Sequence, residues 1–138
     1  MDINLLAVLL AAIAMFAFGA FYYTVIFGKL WSKMHGFDKL SKTKQEEMMS
    51  KMTPIYIAQF VVTLLGALML AKLITLVPDY SPYTLAFIVW LGFAVPAHAS
   101  DVLFSNTESK WQLKKILVTS FATLGYLLIA ALIFDALS

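Results

Sequence analysis

The stretch "INLLAVLLAAIAMFAFGAFYYTVIF", residues 3–27, carries no charged side chain. A bilayer hydrocarbon core is crossed by ~20 helical residues, so this run is long enough to span one. Only helices and closed barrels satisfy their own backbone in lipid, and the run lacks the apolar–polar alternation of a strand. A membrane-spanning helix is therefore predicted. It does not read as a secretory signal, because its only early charges are the amino terminus and Asp2 and its apolar run is too long.

Three further apolar runs match it. They cover about residues 55–77 ("IYIAQFVVTLLGALMLAKLITLV"), 83–104 after the turn "PDYSP", and 116–137. The 138 residues are 62% hydrophobic and 13% charged, with mean hydropathy +0.85. A soluble domain carries about twice that share of charge, and too few polar side chains are present to cover a water-facing surface. The expected fold is all-α: one integral membrane domain over residues 1–138, with four transmembrane helices in an antiparallel bundle.

Lysine placement sets the orientation. Lys29, Lys33, Lys39, Lys42, Lys44 and Lys51 lie between the first two runs, and Lys110, Lys114 and Lys115 between the last two. Only Lys72 falls on the other side. Positive loops stay cytoplasmic, so loops 28–54 and 105–115 are predicted inside and both termini outside. Trp31, Trp111, Tyr80 and Tyr83 stand near span ends, where amphipathic rings anchor at the interface.

Loop 28–54 is the one sizeable connector. "TKQE", Thr43–Glu46, has the spacing of a capping box, which predicts a short amphipathic helix near 44–52. Met48, Met49 and Met52 would form its apolar edge, with lysines facing anionic headgroups. The plainer alternative is a solvated lysine-rich connector. Thr53 and Pro54 suit the N-cap and first position of the second span.

Counting ~1.5 Å per helical residue, hydrogen-bonding side chains of all four spans fall in the cytoplasmic third. These are Tyr22 and Tyr23, Gln59, His98 and Asp101, and Thr119, Ser120 and Thr123. Such groups are expected to turn inward and bond one another. His98 and Asp101 are i,i+3 neighbours able to meet on one helical face. Asp101 also lies near the span end, where it could reach the interface and pair with Lys114 or Lys115. Pro96 cannot donate to the Gly92 carbonyl and is expected to kink the third span. Gly92, Pro96 and Ser100, at i, i+4 and i+8, form a stripe suited to close helix approach.

Catalytic and cofactor motifs are absent. There is no cysteine and no arginine, so thiolate chemistry is excluded and nucleic-acid binding has no support. No HExxH, GxSxG or phosphate-cradling glycine loop is found. His35 and His98 fall at different depths, and no metal or cofactor site is assigned.

The segment "GAFYYTVIFGKLW", residues 19–31, resembles the first-helix signature of small bacterial membrane proteins known as domain of unknown function 1761. The matching residues are Gly19, Tyr22, Tyr23, Phe27, Gly28, Lys29 and Trp31. "VWLGFAVP" in the third span resembles the same family's run through Trp90, Leu91, Gly92, Phe93 and Pro96. Relatives often carry Ser-Pro after the aromatic pair, where this chain has Thr24 and Val25. The resemblance implies four helices in a bacterial cytoplasmic membrane and no established activity.

The expected role is thus a non-enzymatic, self-associating membrane protein whose partners are the bilayer and further copies of itself. Two alternatives stay open. One is a small-molecule or ion carrier with Tyr22, Gln59, His98 and Asp101 lining an inner vestibule. The other is a membrane enzyme or cofactor binder acting on a quinone, haem or lipid.

Overall fold

The computed structural model of the chain describes residues 3–138; Asp2 lies outside the described residues. These form helices joined by short turns, with no strand among them. Four helices are long and apolar enough to cross a membrane: Leu5–Ile26, Thr53–Leu76, Pro82–Leu103 and Ser109–Ala136. Within them, α1 (Leu5–Phe21) runs into a π-helical turn, Tyr22–Ile26, and α4 (Thr53–Leu76) is continuous. The third span is α5 (Pro82–Val89), a second π-helical turn (Trp90–Ala94) and α6 (Val95–Leu103), and the fourth is α7 (Ser109–Ala136). Two shorter helices, α2 (Gly28–Met34) and α3 (Lys42–Ser50), fill the connector.

Helix α1 packs along α7 and α4, while α5 and α6 pack on α7. The α1–α7 seam is built from small residues. Ala11, Ala12, Ala122, Ala130 and Ala131 are fully enclosed, which lets backbones approach where no hydrophobic force drives helices together. Two aromatics lock the seam reciprocally. A Cβ on Gly125 would collide with the Phe18 ring, and one on Gly19 would lie 2.5 Å from the Tyr126 hydroxyl. Phe18 and Tyr126 themselves meet edge to face, with centroids 5.6 Å apart. Each helix thus offers a glycine to the other's ring.

Several helix starts differ from the sequence expectation. The cap of α3 is Ser41, whose hydroxyl accepts from the Lys44 amide at 3.3 Å. Thr43 is already helical, because Ser41 meets the requirement two residues earlier. Thr53 and Pro54 are the first two positions of α4, with Met52 as its cap. The fourth helix begins at Ser109, seven residues ahead of its apolar run, because "SKWQLKK" is good helix-forming sequence outside hydrocarbon. Gly36, with φ 72°, closes α2 in the left-handed conformation that glycine adopts without strain. Gln45 Nε2 then donates to the carbonyls of Phe37 and Leu40, tying α3 back to the preceding turn.

Candidate functional site

The two π-helical turns are where the motif residues converge. In an unbroken α-helix the Phe27 amide would bond the Tyr23 carbonyl; here it reaches one residue farther back, to the Tyr22 carbonyl at 2.9 Å. Such a π-turn inserts one extra residue and re-aims the side chains on either side of it. The Thr24 hydroxyl donates to the Ala20 carbonyl within the same turn, which also bends helices. A proline is therefore not needed for the break in this chain. In the third span the Val95 amide reaches back to the Trp90 carbonyl, just before Pro96, which has no N–H to contribute. The expected disturbance at Pro96 takes the form of this π-turn.

Both turns begin with a large amphipathic ring aimed at α7. Tyr22 is buried, and its hydroxyl donates to the Val118 carbonyl at 2.6 Å. Trp90 Nε1 donates to the Ser120 carbonyl at 2.6 Å. These acceptors lie two residues apart on α7, and a helical carbonyl has a second lone pair free for such a donor. The first and third spans are thus pinned to the same turn of the fourth. The neighbouring Ser120 hydroxyl is buried without a partner among the described residues.

Around this pin the aromatic residues form a continuous chain. Tyr22 packs against Phe18 and Phe27, with centroids 5.5 and 4.8 Å away, and against Tyr23 at 5.2 Å. Tyr23 meets Trp31 at 4.8 Å, and Trp31 meets His35 at 4.2 Å. Of the family-like motif, Gly19 receives Tyr126, Gly28 opens α2, and Lys29 is exposed. Leu91, Gly92, Phe93 and Pro96 are exposed. The Gly92–Pro96–Ser100 stripe expected to approach another helix faces away from the chain's own helices, and nothing lies within 4 Å of a Cβ at Gly92. The π-turn turns Trp90 toward α7, so the small residues that follow point elsewhere.

The polar residues divide into separate places. His98 does not bond Asp101; its Nε2 lies 2.6 Å from the Thr123 hydroxyl. That hydroxyl donates to the Thr119 carbonyl at 3.1 Å, so it accepts from a proton on His98 Nε2. Thr119 donates to the carbonyls of Lys115 and Ile116 within α7. His98, Asp101, Ser105, Lys115 and Thr119 share an open hollow of about 340 Å³ between α6 and α7. Asp101 is exposed there and makes no ion pair, the described pairs being Lys51–Glu47 and Lys110–Glu108.

Tyr22 lines a different hollow, a groove of about 480 Å³ with Phe27, Leu30, Lys114, Leu117 and Phe121. Gln59 lines neither. It is exposed on α4, and its Nε2 donates to Thr63 Oγ1 at 3.2 Å within the same helix. The polar residues expected to form one layer are thus held apart: Tyr22 bonds the Val118 carbonyl, His98 meets Thr123, and Gln59 turns to its i+4 neighbour. Among the described residues, no three His, Cys, Asp or Glu side chains group to hold a metal ion.

Sequence reasoning had not marked Val118, Gly125, Tyr126 or Phe18. The signal for the last three was available as the mirrored pairs Phe18-Gly19 and Gly125-Tyr126, one on each helix of the seam. No curated protein and no solved structure matches the chain. A family model, described as protein of unknown function, matches residues 6–134, a range that takes in both π-turns and the α7 carbonyls they contact. The chain belongs to that family, DUF1761.

Proposed function

We propose that this chain is a non-enzymatic membrane protein that self-associates in a bacterial inner membrane. Its spans would form an antiparallel bundle with both termini outside and loops 28–54 and 105–115 in the cytoplasm. The observation that carries self-association is the bare start of the second span. Every residue from Thr53 to Gln59 is exposed, and the Gln59 side-chain oxygen has no partner among the described residues. A polar amide facing lipid is unfavourable, and hydrogen bonds between helices relieve it. Gln59 has both a donor and an acceptor, so a twofold-related copy presenting the same face complements it.

The chain has no cysteine, so a single introduced thiol reports on one position. Ala58→Cys is expected to cross-link between copies in nanodiscs, while Leu132→Cys on α7, also exposed, does not. Replacing Gln59 by Leu should lower the cross-linked fraction. A strictly monomeric protein in a native-like bilayer would sink the reading. The orientation rests on the nine-to-one lysine split, and labelling of Lys42→Cys from outside would overturn it.

The hollow holding His98, Asp101 and Lys115 favours a second reading, a carrier of a small polar solute or ion. Proteoliposome flux unaffected by joint His98→Ala and Asp101→Ala substitution would remove that lining from consideration.

A further inference from the structure

At the loop end of α7, lysines gather around Trp111 and Trp31. The ammonium groups of Lys33, Lys110 and Lys114 lie 5.9, 5.6 and 5.2 Å from the ring centroid of Trp111. A fourth, Lys115, lies 5.7 Å from that of Trp31. One ring cannot neutralise three cations, and their mutual repulsion is unfavourable unless an anion joins them. The sole carboxylate paired with any of the four is Glu108, 3.4 Å from Lys110 with both side chains largely exposed. Lys33 and Lys114 have no ion-pair partner among the described residues.

Immediately beside this cluster the apolar groove opens, and Lys114 belongs to both. Its walls are Tyr22, Phe27 and Leu30 on one side and Leu117, Val118 and Phe121 on the other. Tyr22 has already committed its hydroxyl to Val118, so it offers the groove only its ring. An apolar, open-sided groove with Lys114 on its wall, beside Lys33, Lys110 and two tryptophans, matches an acyl chain with an anionic head. Basic pockets between transmembrane helices hold acidic lipid headgroups in this way.

We propose that this groove seats one anionic phospholipid, its phosphate held by Lys33, Lys110 and Lys114 and one acyl chain lying against Leu30, Leu117 and Phe121. The seat belongs to a single copy of the chain and does not depend on self-association.

The test is native mass spectrometry of the protein released from nanodiscs containing phosphatidylglycerol and phosphatidylcholine in equal amounts. The wild type is expected to retain phosphatidylglycerol preferentially. Each lysine of the three changed to Gln should reduce that retention by roughly three- to fivefold. Changing Lys39, Lys42 and Lys44 to Gln removes the same charge elsewhere and should leave retention intact. Unchanged retention when Lys33, Lys110 and Lys114 are all changed to Gln, or a loss in the control variant equal to that triple variant's, would overturn the proposal. Leu117→Trp fills the groove with every lysine in place and is expected to lower retention. Unchanged retention there would show headgroup capture by lysines alone and would overturn the groove as the seat.

Discussion

The α1–α7 seam and the exposed side of α4 have similar apolar composition and opposite surroundings. In the seam, alanines are enclosed and each glycine lies under an aromatic ring of the other helix. In α4, Ala58 is exposed and Gly66 has nothing within 4 Å of the position its Cβ would take. From Phe60 onward α4 touches the rest of the chain through side chains other than Gly66. Phe60 meets Phe16 edge to face at 5.8 Å, and the buried residues Ala67, Leu70 and Ala71 follow. Hydropathy alone treats the two regions alike. What separates them is shape, because in lipid a helix gains its neighbours through close packing and hydrogen bonds and not through apolar character.

The largest effect is expected where this difference is sharpest. Gly125→Val forces a side chain into the Phe18 ring and should lower stability by ~1–3 kcal/mol, read from reversible unfolding in mixed micelles. Gly66→Val, the same change on the open helix, should stay within ~0.5 kcal/mol. Equal losses at the two sites would break the contrast between a packed seam and a bare face.

The pin on α7 comes next. Tyr22→Phe and Trp90→Phe each remove one donor to an α7 carbonyl, and each should cost ~0.5–1.5 kcal/mol in the same unfolding measurement. Because Tyr22 and Trp90 reach α7 from different spans, the double variant should equal the sum of the singles within ~0.5 kcal/mol. Strong coupling would mean that the two π-turns form one cooperative unit.

Smaller effects are expected outside the seam. Thr123→Val removes the acceptor of His98 and should cost about 0.6 kcal/mol, the average for hydrogen bonds between membrane helices. Gln59→Leu should change the unfolding of a single copy least of all, within ~0.5 kcal/mol, while reducing cross-linking between copies. A large loss of single-copy stability from Gln59→Leu would show that α4 is held by its own chain in this region after all.

The contrast also explains what could and could not be read in advance. The four spans were legible because each is apolar over a length that matches a bilayer. That same property hid their packing: a helix apolar all round has no stripe to mark its inward face. Gln59 and His98 look equivalent as polar residues at similar depth, yet one bonds within its own helix and the other reaches the fourth span. The fourth helix was placed by its apolar run, and hydropathy reports lipid compatibility, not the start of hydrogen bonding at Ser109. The first π-turn has no proline to announce it, only the local sequence "YYTVI".

From the residues alone come the helical membrane class, the four spans, the lysine asymmetry and the motifs around Tyr22 and Trp90. These follow from lengths, charges and local residue chemistry, which do not depend on what lies alongside. The tertiary structure decided that both motifs grip α7 at Val118 and Ser120, that Gln59 stays outside, and that lysines from α2 and α7 crowd one tryptophan. Each of these joins residues far apart in the chain, and only the fit of one helix surface against another brings them together.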